Sequence, residues 1–343
     1  MKSSMIWPAL VALLCSAALA GCSFEPDREI WEISGPVFGT QYHIKVALTD
    51  DEGRLENLAG GITGVLEDVD AAMSTWREDS ELSRFNRQER KGEWFPVSDP
   101  LFEVLTEAQR VSRLSEGAFD ITVGPVVNLW GFGPEARPDQ VPTDDVLAQR
   151  MADTGYEKLE LNAGDKTIRS DFPLYLDLSA IAKGYAVDAV ARYLADAGVE
   201  AYLVEIGGEV NAHGRKPDGE VWRLAIEKPV SRERTVQQVV ALENRAMATS
   251  GDYRNYYEAD GKRYSHTIDP ATGHPIGHRL ASVSVITEDC MTADAMATAL
   301  NVMGEERGYA FAVQHDIAAY FIYRAESGFE TKYTPAFSSF LID

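Results

Sequence analysis

Asp294 and Thr298 stand four residues apart in the apolar segment MTADAMATAL, residues 291–300. At helical spacing their two oxygen-bearing side chains leave the same face of a helix. With Thr292 as the N-cap, the helix dipole would stabilise a carboxylate at Asp294, but that explanation covers neither Thr298 nor the apolar neighbours. Mg²⁺ takes oxygen ligands from one or two carboxylates, water and substrate phosphate. The pair therefore predicts the protein part of a magnesium site, with a dipole contact as the alternative.

Lys183 lies in LDLSAIAKGYAVD, residues 176–188, where an apolar run predicts a strand that leads into a helix. The first turn of a helix presents unpaired amide groups and the positive end of its dipole, and both suit a phosphate. Lys183 would add a point charge there. The alternative is a solvated lysine at an ordinary helix start.

His266 and Asp269 precede a turn in YSHTIDPATGHPI, residues 264–276, in which Pro270 and Gly273 are typical turn residues. A histidine near an acid can act as a general base. The alternative is a hydrogen-bonded pair with a structural role only.

Two further segments combine aromatic residues with turn and capping residues. Trp76 lies in MSTWREDSELSRFN, residues 73–86, and is expected either to pack in the core or to stack on a planar ligand. Phe119 and Asp120 follow Gly117 in EGAFDITVGPVVNLWGFG and could offer an aromatic face and an acceptor. By itself that second pattern is also consistent with a simple tight turn.

The net charge of -22 in 343 residues argues against a nucleic-acid-binding protein, which needs clustered Lys and Arg. An anionic substrate would have to be held against this field by a cation or by aligned amides. The sequence contains no P-loop, HExxH, CxxC or GxSxG motif, and its histidines are too scattered to indicate a zinc site.

The N-terminus has the features of a targeting segment: Lys2, then an apolar run too short to span a membrane. LAGC, ending at Cys22, resembles the lipobox of bacterial lipoproteins, so residues 1–21 are predicted to be a lipoprotein signal peptide. The alternative is a secretory signal cleaved near Ala20. Residues 22–34 are predicted to be a tether. Cys290 would be the remaining cysteine of the mature chain and is expected to be a buried structural thiol rather than a nucleophile.

The remaining chain alternates between helical and strand patterns without a regular βαβ rhythm. Periodicity predicts helices over residues 55–73, 100–114 and 181–198. Strands are predicted over residues 41–48, 201–214, 221–229 and 282–287, with a hairpin in residues 158–170. This mixture predicts an α+β fold of mixed sheets with packed helices.

Seven segments together resemble the ApbE family, the FAD:protein FMN transferases. They occur in family order and are MSTWREDSELSRFN, GAFDITVGPVVNLWGFG, DLSAIAKGYAVD, EIGGEVNAHG, ATSGDYRNY, SHTIDPATG and MTADAMATAL. The resemblance implies that residues 35–343 form one flavin transferase domain with FAD in a cleft between two lobes. It implies that FAD is split at its pyrophosphate, and that FMN passes to a threonine hydroxyl of a partner protein with release of AMP.

The resemblance also implies roles for individual residues. Magnesium would be held by the Ala180 carbonyl, Asp294 and Thr298, and His266 would take part in the transfer, with Asp294 as the second catalytic residue. FAD contacts are implied for Phe38, Trp76, Ala118, Phe119, Asp120, Asp177, Lys183 and Ile268. Where some members carry a second acid before the metal-site threonine, this chain has Ala297, so an extra water is expected on the metal.

Three alternatives stay open at this point. An FAD pyrophosphatase would use the same metal site to release FMN and AMP. A periplasmic lipoprotein that binds FAD without chemistry would not need His266, Asp294 and Thr298 together. A generic solute-binding lipoprotein would show neither flavin preference nor metal dependence. The implied acceptor is a respiratory electron-transfer protein, and the implied location is the periplasmic side of a bacterial membrane, anchored by lipid at Cys22.

Overall fold

A computed structural model describes residues 28–49, 52–88, 91–135, 141–230, 235–253, 255–259 and 261–342. The described part is built on an eight-stranded sheet whose printed strand pairs are all antiparallel. In spatial order its strands are β1 (Arg28–Val37), β2 (Thr40–Thr49), β6 (Tyr202–Ile206), β7 (Glu209–His213), β10 (Arg245–Gly251), β13 (Leu280–Thr287), β14 (Ala318–Arg324) and β15 (Phe329–Tyr333).

Helices cover one face of this sheet. They are α1 (Glu52–Met73), α2 (Glu81–Asn86), α3 (Asp99–Leu114), α6 (Ala182–Asp196) and α7 (Cys290–Gln314, kinked at Gly304), whereas α4 (Gly124–Leu129) and α5 (Asp144–Met151) pack in a separate cluster. Helix α7 packs on β10 and β13, α6 packs on α7, and α1 packs on α6. Their apolar faces and the inner face of the sheet form the main core.

The other face of the sheet is covered by a ribbon of β8 (Trp222–Glu227) and β9 (Val236–Leu242) and by the 3-10 turn Pro335–Phe340. Strand β13 is therefore buried on both faces, and seven of its eight residues are buried. Its sequence accordingly has no charged residue, and the strand packs against α7.

Smaller sheets complete the fold. One has β3 (Phe95–Pro96), β5 (Thr167–Arg169) and β4 (Glu160–Asn162), and the other is the hairpin of β11 (Tyr256–Ala259) and β12 (Lys262–Ser265). The hairpin packs with α4 and α5 around Trp130, whose ring stacks on Tyr264 at 5.4 Å between centroids. This third cluster supports the chain just before His266.

The α+β class and the predicted helices and strands are confirmed, with four corrections. Residues 201–214, predicted as a strand, form two strands, β6 and β7, because Gly207 and Gly208 make a turn between them. Strand β1 begins at Arg28, so residues 28–34 belong to the sheet instead of a tether. As an edge strand it is rich in polar residues and lacks the alternating apolar pattern from which a strand is predicted. Residues 173–178, which precede α6, do not form the expected strand; they are irregular in structure. Asp289, not Thr292, caps α7, since its side chain accepts from the Thr292 amide at 2.8 Å.

The predicted signal peptide and lipidated Cys22 lie outside the described residues. Among the helices that the structure describes, none is both long and apolar enough to cross a membrane. Cys290 is fully buried, as expected for a structural thiol, and burial raises its pKa well above the ordinary value.

Candidate active site

The N-terminal end of α7 is held by carboxylates from two elements. Asp289 caps the helix, and Asp188 of α6 accepts from the amides of Cys290 and Met291 at 2.9 and 2.8 Å. Asn211 donates to Asp188 as well, at 3.0 Å. Burial raises the pKa of Asp188 to about 6, although these donors favour its ionised form. The helix that carries Asp294 therefore begins at a position set by side-chain hydrogen bonds.

Asp294 is seated against the first turn of α6. Its Oδ2 accepts from the Gly184 amide at 3.0 Å, and the side chain is 6% exposed. A Cβ on Gly184 would lie 2.4 Å from the Cys290 carbonyl oxygen and 2.8 Å from Asp294 Cβ, so only glycine permits this approach. Burial raises the pKa of the Asp294 carboxyl, and the charge of Lys183 partly opposes that rise.

Within the part of the chain that the structure describes, three oxygens around this contact have no protein partner. The Gly184 amide donates to Asp294 rather than to the Ala180 carbonyl, which lies one helical turn before it. Among the described residues nothing donates to that carbonyl, to Asp294 Oδ1 or to the Thr298 hydroxyl. Mg²⁺ prefers such oxygens, so the residues present fit this ion. Among the described residues there is no group of three or more His, Cys, Asp or Glu that could hold a metal.

Lys183 forms an ion pair with Glu209, a buried residue that the sequence reasoning did not select. Lys183 Nζ lies 2.7 Å from Glu209 Oε2, and the Glu209 side chain is 3% exposed against 33% for Lys183. Burial raises the pKa of Glu209 to about 7, opposed by Lys183 and reinforced by Asp294. Burial alone would lower the pKa of Lys183, but the charges of Glu209 and Asp294 raise it, so the lysine stays protonated.

The His266 ring is oriented by a main-chain carbonyl. Its Nδ1 lies 2.9 Å from the Asn255 oxygen, which can only accept, so Nδ1 carries the proton and Nε2 has the free lone pair. Burial, together with the charge of Lys183, lowers the pKa of His266 below its ordinary value. The expected His266–Asp269 pair is absent, because Asp269 accepts from Ala271 and Thr272 of its own turn.

Two cavities contain the predicted site residues. Cavity 1, about 350 Å³, is lined among others by Ala118, Phe119, Asp120, Asp177, Ala180, Lys183, Glu209, His266, Ile268, Asp294 and Thr298. Cavity 2, about 760 Å³, is lined among others by Phe38, Met73, Trp76, Ser179 and Lys183. Ser179 and Lys183 line both, so the cavities adjoin at the first turn of α6.

The individual positions differ in how free they are to meet a ligand. Trp76 is 72% exposed, which excludes core packing, and Phe38 is 36% exposed at the turn between β1 and β2. Asp120 lines cavity 1, but its carboxylate already accepts from Thr122 and Tyr156. Its chief visible role is to fix the chain next to Phe119.

Glu209 and Asp188 are the two functional candidates that the sequence reasoning missed. Each is an acid within an apolar or glycine-rich segment, EIGGEV and YAVDAV, which is the same signal that pointed to Asp294. Their partners lie on other elements, Lys183 for Glu209 and the start of α7 for Asp188. That pairing depends on the tertiary structure.

The chain is similar to proteins of one family over most of its length. The model of the ApbE family matches residues 38–321. The chain belongs to the ApbE family. A Vibrio cholerae protein named FAD:protein FMN transferase is 51% identical over 97% of this chain and 98% of its own length. Proteins of the same name from Haemophilus influenzae and Escherichia coli K12 are 44% and 40% identical, over 96% and 97% of this chain and of their own lengths.

ApbE structures share this architecture throughout. The flavin transferase ApbE from Vibrio cholerae matches with a TM-score of 0.84 at 50% identity, over 92% of this chain and 100% of that one. The apo form of the Pseudomonas stutzeri flavinyl transferase ApbE matches with a TM-score of 0.84 at 42% identity, over 92% and 97%. The mixed α+β fold of this chain is thus the ApbE fold.

Proposed function

We propose that this protein is an FAD:protein FMN transferase that uses Mg²⁺ to move FMN from FAD to a threonine hydroxyl of a partner protein, with release of AMP. One observation carries the proposal: oxygens of Ala180, Asp294 and Thr298, the Lys183 ammonium and the His266 imidazole meet at one cavity. Relatives that bear this activity in their names are 40–51% identical over nearly the whole chain, which supports it.

The magnesium ion would be held by the Ala180 carbonyl, Asp294 Oδ1 and the Thr298 hydroxyl, since these oxygens have no partner in the described part. When bound, Mg²⁺ would withdraw charge from the pyrophosphate at which FAD is split. Asp294 is fixed for this task, because Gly184 occupies its other oxygen.

The two adjoining cavities suit the two halves of FAD. Lys183 stands between them, where its ammonium would contact the pyrophosphate. Trp76 offers an open aromatic face in cavity 2, while Phe119 and Ile268 line cavity 1 with apolar surface. Flat ring systems are held well by such surfaces.

His266 would accept the proton of the acceptor threonine at Nε2. Its lowered pKa keeps the ring neutral at physiological pH, and Asn255 holds the tautomer in which Nε2 is the free base. The acceptor oxygen would then attack phosphorus while AMP leaves.

The proposal includes a membrane-anchored location for the protein. A lipidated Cys22 would anchor the domain on the periplasmic side of a bacterial membrane. This places it beside respiratory electron-transfer proteins, the class of acceptor that the resemblance implies.

The decisive experiment incubates the mature protein with FAD, Mg²⁺ and an acceptor domain, followed by in-gel flavin fluorescence. We expect covalent fluorescence on the acceptor, and loss of it in Asp294→Ala with the fold retained. Asp165→Ala, which removes an acid from an exposed turn, serves as the charge-matched control and should transfer normally. Free FMN without labelled acceptor would indicate a pyrophosphatase instead, and bound but intact FAD would indicate a flavin-binding lipoprotein.

A further inference from the structure

The ammonium of Lys183 lies close to two buried carboxylates but forms its ion pair with one of them. Nζ is 2.7 Å from Glu209 Oε2. Asp294 acts on Lys183 through its charge, and its own hydrogen bond comes from Gly184. The cluster therefore holds two acids and one base, and the base is paired with Glu209.

Glu209 is placed by a tight turn between two strands of the main sheet. Gly207 and Gly208 make this turn with φ of 63° and 109°, and Glu209 then pairs with Ile206 in the antiparallel register. Its side chain lines cavity 1, as Lys183 of α6 does. A turn at the end of two central strands thus presents the carboxylate to the Lys183 side chain on helix α6.

The Lys183 side chain is only one-third exposed, and a partly buried ammonium favours an anionic partner. Without the charge of Glu209, Asp294 would be the remaining carboxylate whose charge acts on Lys183. That new ion pair would occupy the oxygen through which Asp294 can bind a cation. A lysine needed near the pyrophosphate would then block the metal site.

We propose that Glu209 is a positioning residue that holds the Lys183 ammonium away from Asp294 and so keeps Asp294 free for Mg²⁺. The inference rests on the proposed metal site at Ala180, Asp294 and Thr298. It assigns to Glu209 no contact with the metal or with FAD.

The test is Mg²⁺ titration by calorimetry, without FAD and at one mildly alkaline pH, on four proteins: wild type, Glu209→Gln, Lys183→Met and the double variant. Glu209→Gln should weaken Mg²⁺ binding roughly tenfold, a coupling typical of neighbours in one charge network. Adding Lys183→Met to Glu209→Gln should restore Mg²⁺ affinity. The gain in Mg²⁺ affinity from Lys183→Met should therefore be larger in the Glu209→Gln background than in the wild type. Equal effects in both backgrounds would mean that the charges act only through their field at fixed positions, which overturns the proposal.

Two controls separate positioning from a loss of structure. Asp196→Asn removes an exposed acid from the C-terminal end of α6 that lines neither cavity, and it should leave Mg²⁺ affinity unchanged. Glu209→Asp keeps the charge, so it should bind Mg²⁺ nearly as the wild type does. A loss of about tenfold in Glu209→Asp would contradict the inference, and this test does not depend on whether Glu209→Gln folds.

The outcome also distinguishes this inference from the proposed function. Absence of saturable Mg²⁺ binding in the wild type would remove the metal site and the inference with it. Wild-type binding with an additive cycle would overturn the role of Glu209 alone.

Discussion

Replacing Gly184 by alanine tests whether the close contact of α6 with α7 positions Asp294. The added Cβ would lie 2.4 Å from the Cys290 carbonyl oxygen, and 2.8 Å from both Cys290 C and Asp294 Cβ. Two of these three atoms are backbone, so no rotamer change relieves the overlap. Restoring ordinary van der Waals contact requires the helices to separate by about 1 Å.

The expected free-energy change combines two opposing effects. Overpacking costs about 1–3 kcal/mol, while alanine regains up to about 1 kcal/mol of helix propensity. The net loss should therefore be roughly 1–2 kcal/mol in the free energy of unfolding. A 1 Å displacement of a catalytic group can lower a rate by about a hundredfold, so flavin transfer should fall by that order.

The matched control is Gly60→Ala in α1, where nothing lies within 4 Å of the added Cβ. It makes the same chemical change at an exposed position of a helix and should stabilise by about 0.5–1 kcal/mol without altering transfer. Guanidinium unfolding and fluorescent transfer to the acceptor measure both effects. Equal stability of the two variants, with wild-type transfer in Gly184→Ala, would refute the packing argument.

Three further outcomes follow from the site and its supports. Trp76→Ala should raise the KM for FAD by roughly tenfold or more, which is the usual loss for one stacked ring. Trp94→Ala, at an exposed site away from both cavities, should leave this KM unchanged. Equal KM values for the two variants would exclude stacking on Trp76. Single-turnover transfer should fall at acidic pH with a midpoint below the ordinary histidine pKa of about 6.5, because protonated His266 cannot accept a proton and burial lowers its pKa. A midpoint at or above that value would contradict this assignment. Asp188→Ala should lower the free energy of unfolding by about 3 kcal/mol, because it leaves two buried amides unpaired. Asp196→Ala, at an exposed site, should lower it by less than about 0.5 kcal/mol. Similar losses in chemical denaturation would show that Asp188 does not hold α7.

Local sequence patterns were sufficient for most helices and strands of this protein. Apolar periodicity located α1, α3 and α6 because each buries one continuous face. It failed for β1, whose exposed edge position removes the need for alternating apolar residues, and for residues 173–178, whose burial comes from neighbouring elements rather than from strand pairing.

In the candidate site, too, local patterns predicted some features and the packing of distant elements decided others. The spacing of Asp294 and Thr298 was enough to predict that two oxygens share a helix face, since helical geometry is local. Local patterns also singled out Lys183 and His266 as candidates, while the resemblance to a known family supplied the Ala180 carbonyl; the structure brings all five residues to one cavity.

What the sequence alone determined is the set of oxygens, charges and aromatic rings, and the elements that carry them. The tertiary structure decided which of them meet. It paired Lys183 with Glu209 across a helix and a sheet, set Asp188 under the start of α7, and turned the Gly184 amide from Ala180 to Asp294. The physical reason is that a buried polar group must find its partner wherever packing places one, and residues far apart in the chain become neighbours only after the core has formed.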